Sequence, residues 1–488
     1  MSCTTSASDR ERERSHAGFV VSPTDTLKGD GSSAHPWSLS AALAQPATVK
    51  AGDTIWLRAG RYRGEFTSKL QGTRERPVVL RALPGVRATI DGPLIVRGDH
   101  AVYRDFEVTN SNRIRVTSTP GSDPADYKRR AGIDVHGSDT RFINLVVHDA
   151  GGGFGVWSQA IDVEIYGCLV YYNGWQGPER GHGHGIYGQN QLGTKRLADN
   201  IIFAQYGNGI NIFGSDQAFL FGFQLDGNFA FDNGALSQER FAVDLFVGGG
   251  SPAGRIVVTN NLTYRSDGLL TARFGYDPGI VNEDLTLLNN YFVGQTGLSN
   301  WGTVVARGNS FTGAQNLLEI QMHPGARVAD YDWESSRFAP DLRRKALNSN
   351  MPIVVVEEDS GRGYVPADWT RATGNDRTGQ SALSPSGTHV VVRPNRYEVG
   401  RANIAVYNWS GARTVDVDLS AVLQKNDRYE IRSVYDFFGD PVVTGRYNGR
   451  RARIPTKQVT PAPPVGGNAP DLSRGAGEFG AFVVLRTK

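Results

Sequence analysis

Seven copies of one short motif constrain the fold of this 488-residue chain more than any other feature. Each copy begins with Asn, or once with Cys, continues as a short β-like run and usually ends at Gly. The copies are NLVVHDAG from 144, CLVYYNG from 168, NIIFAQYG from 200, NFAFDNG from 228, NLTYRSDG from 261, NYFVGQTG from 290 and NSFTG from 309. They start 19 to 33 residues apart. A period of this size predicts a solenoid in which each repeat is one turn of a coil.

A second set of strands alternates with the first: GIDVHG from 132, GVWSQ from 155, GIYGQN from 185, GINIFG from 209, AVDLFVG from 242 and LLTARFG from 269. Stacked turns place equivalent side chains above one another, about 4.8 Å apart. We therefore expect the Asn amides to bond from turn to turn. Cys168, in the place of an Asn, should be buried and chemically inert. One shared position should form an aromatic column in the core, from Val147, Tyr171, Phe203, Phe231 and Tyr264.

The N-terminal part of the chain fits the start of such a coil. GDGSSAHPWSLSAALAQ leads into VKAGDTIWLRAGRYRGEF and then into RPVVLRALPGVRATIDG. With these segments the chain resembles the right-handed parallel β-helix proteins of the pectate-lyase-like superfamily, over roughly residues 20–345. The resemblance implies a short capping helix and the first turns of the coil at this end. It implies no particular chemistry, because this architecture hosts lyases, hydrolases, esterases, epimerases and phage tailspikes.

Residues 388–488 have a different pattern, in which short alternating runs follow one another with turn signals between them. The runs are HVVVRP, RANIAVYNW, RTVDVDLS, DRYEIRSV, PVVTGRY, RRARIP and GAFVVLR. They predict an antiparallel β-sandwich. The fold class is therefore all-β, a right-handed parallel β-helix followed by a β-sandwich. The sandwich resembles C-terminal β-domains of carbohydrate-active enzymes, and we expect a stabilising module, with sugar binding as the alternative. Residues 1–19 are predicted to be a polar, disordered tail and residues 346–387 a linker.

Charge and apolar pattern exclude several classes of protein. The net charge of +3 does not suggest the concentrated basic face that a nucleic-acid duplex requires, so we expect no nucleic-acid partner. No apolar run reaches the ~18–20 residues of a membrane span, and no signal peptide is evident. From the resemblance we expect a secreted or periplasmic bacterial protein that acts on a polysaccharide or oligosaccharide. The sequence does not determine the oligomeric state.

Strand alternation also predicts which side chains lie outside the coil. In the second set of strands the Ile position points inward, so its neighbours point outward. One exposed row is then expected from Asp134, Trp157, Tyr187, Asn211 and Asp244, and the next from His136, Gln159, Gln189, Phe213 and Arg273. Rows that mix ring faces, amides and charges are typical of an oligosaccharide groove. The longest loops, NRIRVTSTPGSDPADYKRRAG and YNGWQGPERGHG, enter the same row, where binding residues are most often found.

The segment GPERGHGHGIYGQN, residues 177–190, suggests acid–base chemistry. Cleavage of a uronic-acid polymer by β-elimination requires a base for the proton at C5, an acid for the leaving oxygen and cations for the carboxylate. His184 or His136 can be the base, because the unperturbed pKa of His is near 6.5, and Tyr187 can be the acid. The remaining candidates from the loops are Arg180, Arg130 and Lys128 for the carboxylate and Trp175 for substrate binding. A lyase for an acidic glycan is the function that these residues favour.

Three alternatives remain open. A glycoside hydrolase needs two carboxyl groups roughly 5–10 Å apart; Asp134 with Glu179 can meet this, whereas Asp134 and Asp244 are about 19 Å apart along the coil. A transition metal can bind His136, His182, His184 and Glu179. The resemblance also implies a possible Ca²⁺ cofactor, since lyases of this fold often use Arg or Lys as the base and Ca²⁺ held by carboxylates, although the row contains no tight cluster of Asp and Glu. The third alternative is a non-catalytic glycan-binding β-helix.

Overall fold

Three long sheets wind around one coil in the computed structural model. It describes residues 17–24, 29–129, 131–239, 241–265, 267–314, 316–341, 351–357, 360–457, 459–470 and 477–487. Between Thr54 and Glu357 each turn of the coil contributes one strand to each sheet. Sheet 1 consists of β1 Phe19–Val21, β2 Thr54–Leu57, β5 Val78–Ala82, β8 Ala101–Arg104, β11 Arg141–Ile143, β14 Glu164–Tyr166, β19 Lys195–Ala198, β22 Leu220–Asp226, β25 Ala253–Thr259, β28 Asn282–Leu288, β31 Trp301–Arg307 and β34 Asp332–Glu334.

The other two sheets each have twelve strands as well. Sheet 2 consists of β4 Phe66–Ser68, β7 Leu94–Val96, β10 Ala131–Val135, β13 Gly152–Val156, β18 Ile186–Gly188, β21 Ile210–Ile212, β24 Leu245–Val247, β27 Leu270–Phe274, β30 Gln295–Ser299, β33 Leu318–Gln321, β36 Ile353–Glu357 and β37 Ser360–Tyr364. Sheet 3 consists of β3 Gly60–Arg63, β6 Ala88–Asp91, β9 Glu107–Thr109, β12 Val146–His148, β15 Leu169–Tyr171, β20 Ile201–Phe203, β23 Phe229–Phe231, β26 Leu262–Tyr264, β29 Tyr291–Val293, β32 Ser310–Thr312, β35 Arg337–Ala339 and β38 Gln380–Ser381. All pairings are parallel except that of β37 with β36.

The described residues also form two α-helices, a two-stranded antiparallel ribbon of β16 Trp175–Gln176 and β17 Gly181–His182, and an antiparallel domain. Helix α1, Leu39–Leu43, is capped by the Ser38 hydroxyl, and its apolar side chains join the core of the coil, as the sequence predicts. Helix α2 is Pro366–Thr373. The C-terminal strands are β39 Thr388–Pro394, β40 Arg401–Asn408, β41 Thr414–Val417, β42 Arg428–Ser433, β43 Val443–Arg446, β44 Ala452–Pro455 and β45 Phe479–Thr487. They form sheets of five and two strands around their own core, which confirms the predicted fold class.

The predicted Asn ladder is present at the corner between sheets 1 and 3. The Asn200 amide donates to the Asn228 carbonyl oxygen at 2.9 Å, and Asn228 donates to Asn261 at 2.9 Å. Asn261 and Asn290 continue the series upward. Each amide also donates to a backbone carbonyl of the turn below, so the buried polar groups of successive turns satisfy one another.

Cys168 occupies the next position in this ladder, where its backbone N–H donates to the Asn200 side chain. It is buried, and burial raises the pKa of its thiol to about 12. Because the thiolate is the reactive form, we expect no labelling of the folded protein by a maleimide at neutral pH and full labelling in denaturant. Rapid labelling of the folded protein at Cys168, located by peptide mass mapping, would contradict its packing here.

The aromatic column forms, but outside the coil. The ring of Phe203 lies 5.2 Å from Tyr171 and 5.0 Å from Phe231, on the outer face of sheet 3. The five-stranded C-terminal sheet covers these rings with Tyr407 and other side chains. The register also replaces Val147 in the column by His148, whose ring stacks on Tyr171 at 4.8 Å. The sequence pattern shows that these positions are buried but does not identify the element that covers them.

The coil continues beyond the end that the sequence suggests. Strands β36, β37 and β38 and helix α2 all lie within residues 346–387, which the sequence assigns to a linker. Of that segment, 346–350 and 358–359 lie outside the described residues, as does 1–16 of the predicted tail. Neither helix in the described part of the chain has the length and apolar character that a membrane crossing needs.

Candidate functional site

The outer face of sheet 2 presents one row of side chains along the coil axis. Partners in successive strands are Asp134, Gly155, Tyr187, Asn211, Phe246 and Arg273. Two residues further along the strands lie His136, Trp157 and Gln189. We call these two rows together the sheet 2 strip. They bring segments that are distant in sequence together at the strand spacing of about 4.8 Å.

The structure differs from the predicted register at four positions, Trp157, Gln159, Arg273 and Asp244. Trp157 belongs to the second row, because Gly155 is the partner of both Asp134 and Tyr187. Arg273 belongs to the first row, next to Phe246. A shift of two residues preserves the alternation of inward and outward side chains, so the sequence pattern cannot detect it.

Asp244 is fully buried and does not belong to the exposed row. Its carboxylate accepts hydrogen bonds from the Asn233 amide at 2.8 Å and from the Thr271 hydroxyl at 2.8 Å. Burial raises the pKa of Asp244 to about 7. Asp244 is thus part of a second row of hydrogen-bonded, buried polar side chains, which lies at the corner between sheets 3 and 2. It stabilises the coil and is not available to a ligand.

One end of the strip holds a hydrogen-bonded histidine. His136 Nε2 lies 3.0 Å from Asp134 Oδ2, and the Gln159 amide donates to His136 Nδ1 at 2.8 Å. Because Nδ1 accepts, Nε2 carries the proton and donates it to Asp134. The Trp157 indole N–H donates to the other carboxylate oxygen of Asp134 at 2.5 Å. Asp134 therefore fixes the tautomer of His136 and the position of Trp157.

A line of rings continues from this cluster. The centroid of Trp157 lies 6.4 Å from His136 and 5.7 Å from Tyr187, and Tyr187 lies 6.1 Å from His184. The Gln189 amide donates to the Tyr187 hydroxyl at 2.9 Å. Burial raises the pKa of Tyr187, so its hydroxyl stays protonated at neutral pH. His184 and Tyr187 thus lie on the same face, as the sequence predicts.

His184 itself is held in a form that excludes the predicted role of base. The backbone N–H of Asn208 donates to His184 Nδ1 at 3.0 Å. Burial, together with the charge of Arg180, lowers the pKa of His184 to about 3. The ring is therefore neutral at ordinary pH, with its proton on Nε2, and acts as a hydrogen-bond donor. His184 and His136 also lie at opposite ends of their strands, with Cα atoms about 19 Å apart.

We expect His184 not to titrate between about pH 5 and 8, whereas an exposed histidine titrates near 6.5. In ¹⁵N-labelled protein the His184 ring should show an unprotonated Nδ1 and a protonated Nε2 throughout this range. Because the pKa in the folded state is below that of the unfolded chain, protonation of the unfolded state lowers stability as the pH falls below about 6.5. A midpoint of titration above pH 6 for this ring would contradict the geometry.

A groove of about 420 Å³ opens beside His184 and Asn211 on the same face. Two cations, Arg180 and Arg273, lie on its walls, and the Arg273 guanidinium lies 4.9 Å from the ring of Tyr276. Four further residues line this groove and are not indicated by the sequence pattern: Asn208, Glu239, Phe246 and Tyr276. Phe246 would have been found from the correct register; the others lie in loops, for which strand alternation gives no signal.

The loop candidates are distributed differently. Trp175 is buried and stacks on Tyr127 and on His182, so it offers no free ring face to a sugar. His182 Nε2 lies 2.7 Å from Glu179 Oε1. The backbone N–H of Gly121 also donates to Glu179 and helps to lower the pKa of that carboxyl to about 2.

Two further predictions concern the cationic residues of the first loop and a bound metal ion. Lys128 is exposed, and Arg130 lies outside the described residues. Within the described part of the chain, no three His, Cys, Asp or Glu side chains are grouped as metal ligands. His182 and Glu179 are the pair of predicted ligands that the structure brings into contact.

A buried lysine supports the strip from inside the coil. Lys195 reaches across from sheet 1, and its Nζ donates to the backbone carbonyls of Trp157 at 2.6 Å and Gln189 at 2.5 Å. Burial lowers its pKa to about 7. The sequence gives one signal for this residue, a lysine at an inward-facing position of a strand. Lys195 ties together two successive turns that carry residues of the strip.

No family model matches the sequence, and no curated protein does. Among solved structures, the chain is similar to a rhamnogalacturonan lyase (13% identity, 72% of this chain and 90% of that chain, TM-score 0.46). It is also similar to the pectate lyase Pel9A (17%, 72% and 83%, TM-score 0.40) and to a GH136 lacto-N-biosidase from Eubacterium ramulus (13%, 68% and 69%, TM-score 0.41).

Proposed function

We propose that the chain is a secreted or periplasmic polysaccharide-processing enzyme, a lyase that cleaves an acidic glycan by β-elimination on the sheet 2 strip. The observation that carries the proposal is the line of rings from His136 through Trp157 and Tyr187 to His184, continued by the arginines of the groove. Aromatic faces bind sugar rings, and guanidinium groups bind carboxylates bidentately. A glycan chain lying along the coil axis contacts both.

The reacting sugar lies at Trp157, between His136 and Tyr187. His136 is the base: Asp134 holds its Nε2 proton, which leaves Nδ1 as the basic atom once the substrate displaces Gln159. It removes the proton at C5, the electron pair forms the C4–C5 double bond, and the C4–oxygen bond breaks. Tyr187, protonated because burial raises its pKa, gives its proton to the leaving oxygen.

The groove beside the strip binds the uronates that flank the reacting sugar. Arg180 and the neutral Nε2–H of His184 both face the groove and fit one carboxylate. Arg273, three strand spacings from Tyr187, fits another. These donors recognise negative charge, so a neutral polymer would forgo the charge-assisted hydrogen bonds that a carboxylate makes with the two guanidinium groups. Lys128 and Arg130 remain candidates for the carboxylate of the reacting sugar.

Hydrolysis fits the same strip less well. Among the described residues that line the groove, Glu239 is the one carboxylate, and a glycosidase needs two. The predicted partner of Asp134, Glu179, is ionised and bound to His182 and Gly121. A general acid needs a raised pKa, whereas the pKa of Glu179 is lowered.

A panel of polymers tests the proposal. Incubation with polygalacturonate, alginate and a glucuronate polymer should produce ultraviolet absorbance of an unsaturated uronate with at least one of them, and none with a neutral glucan. In Arg273→Gln the KM should rise by about tenfold or more with a smaller change in kcat, because the residue lies away from the reacting sugar. New reducing ends without absorbance would instead identify a hydrolase, and neither signal would identify a binding protein.

A further inference from the structure

A second polar cavity lies on the other side of the coil, between sheet 3 and the C-terminal domain. It encloses about 450 Å³, within the range of small-ligand sites. Arg61, Arg63 and Tyr172 line it from the coil, and Asp436 and Phe438 line it from the C-terminal domain. We propose that this cavity is a separate binding site for a single uronic-acid unit, either free or at the end of a glycan chain.

The mouth of the cavity is positively charged. Arg61 Nη1 lies 3.1 Å and Arg63 Nε lies 3.7 Å from the same oxygen of Asp91. Two guanidinium groups thus share one carboxylate, and their side chains are 41% and 77% exposed while that of Asp91 is 4% exposed. The surplus positive charge at an accessible position selects an anionic group such as the carboxylate of a uronate.

The deep end is a rigid network whose charges are already paired. His148 lies 2.8 Å from Glu107 and 2.7 Å from Asp149, and Arg87 donates to both oxygens of Glu107 at 2.7 Å. Although burial opposes it, these carboxylates raise the pKa of His148. Arg115 pairs with Asp149 in turn. Because these groups satisfy one another, they form a fixed floor and do not compete for the ligand.

One buried donor in the cavity is unused. The Tyr172 side chain is 1% exposed, and its hydroxyl has no hydrogen-bond partner in the described part of the protein. A buried polar group without a partner is costly, and a ligand hydroxyl would provide one. Asp436 lines the same space and can accept from sugar hydroxyls, while Phe438, 37% exposed, adds an apolar wall. Together these groups match a compact ring that carries both hydroxyls and a carboxylate.

Calorimetric titration with glucuronate and galacturonate tests this site, with glucose as the neutral probe. The background is full-length Arg180→Gln/Arg273→Gln, in which both arginines of the groove on the sheet 2 face are removed. We expect this variant to keep its affinity for at least one uronate and to bind glucose at least about tenfold more weakly. Adding Arg61→Gln/Arg63→Gln should weaken uronate binding by about tenfold or more, and adding Tyr172→Phe should weaken it by a few-fold. Both arginines are solvent-accessible, and the melting temperature checks that the fold is intact.

The result that overturns the proposal is uronate binding that disappears in the background variant, that survives the loss of Arg61 and Arg63, or that does not exceed glucose binding. The absence of any uronate binding overturns it as well. The readout uses monosaccharides with the strip disabled and requires no cleavage. Failure here therefore leaves the lyase proposal intact, and failure of the lyase proposal leaves this site intact.

Discussion

Tyr187→Phe is expected to lower kcat on the best uronic-acid polymer by about 10²-fold or more, with the KM nearly unchanged. The substitution removes the hydroxyl that gives its proton to the leaving oxygen, while the ring that packs near Trp157 and His184 remains. Loss of a proton donor raises the barrier of the chemical step and leaves ground-state binding in place. Steady-state kinetics, with the unsaturated product as readout, give both parameters.

Three further variants make the result specific. His136→Ala should lower kcat by a similar factor, because the base is lost. Trp157→Ala should raise the KM more than it lowers kcat, because this ring holds the sugar. Tyr429→Phe, the same chemical change at a partly exposed tyrosine of the C-terminal domain, should behave as the parent enzyme. Parent-like turnover in both Tyr187→Phe and His136→Ala would remove the proposed acid and base together.

Phe231→Ala is expected to lower the free energy of unfolding by about 3–5 kcal/mol. Phe231 is fully buried between the coil and the C-terminal domain, with Phe203 stacked at 5.0 Å and Phe479 in edge contact at 4.9 Å. Removing the ring leaves a cavity in the aromatic column that joins the two domains. Urea unfolding followed by tryptophan fluorescence and by circular dichroism measures the loss.

Leu383→Ala is the matched control for this stability prediction. Leu383 is 92% exposed, so its truncation should change the free energy of unfolding by less than about 0.5 kcal/mol. If Phe231→Ala changed the free energy of unfolding as little as Leu383→Ala does, the C-terminal sheet would not cover the outer face of sheet 3 as the structure shows.

The sequence predicted the winding of the coil because the pattern that indicates it, an Asn at each turn, is local in the sequence. A buried Asn at each turn can donate its amide hydrogens to the Asn of the next turn and to a backbone carbonyl of the turn below, and the ladder from Asn200 to Asn290 is present as predicted. The position of the aromatic column was not predictable. Tyr171 and Phe203 are as apolar as core residues, and only the docking of a second domain shows that they lie outside the coil.

The sequence predicted which face of the coil carries the candidate site, but it did not predict the position and protonation state of every residue there. Strand alternation predicted that Asp134, Tyr187 and Asn211 face outward from sheet 2. Trp157 is displaced by two residues, a shift that leaves the alternation intact. The state of His184 depends on the backbone N–H of Asn208, which arrives from the next turn of the coil. Hydrogen bonds between turns are a property of the register, so the residue type alone suggested a base where the structure holds a donor.

Mass spectrometry of the products tests the central claim, β-elimination of an acidic glycan on the sheet 2 strip, most directly. Digestion of a uronic-acid polymer in water enriched in ¹⁸O should give fragments whose new non-reducing end is unsaturated and one water lighter than a hydrolysis product, with no ¹⁸O in the cleaved bond. Tyr187→Phe should suppress these fragments. Saturated fragments that carry ¹⁸O, or unsaturated ones formed equally well without His136 and Tyr187, would contradict the account.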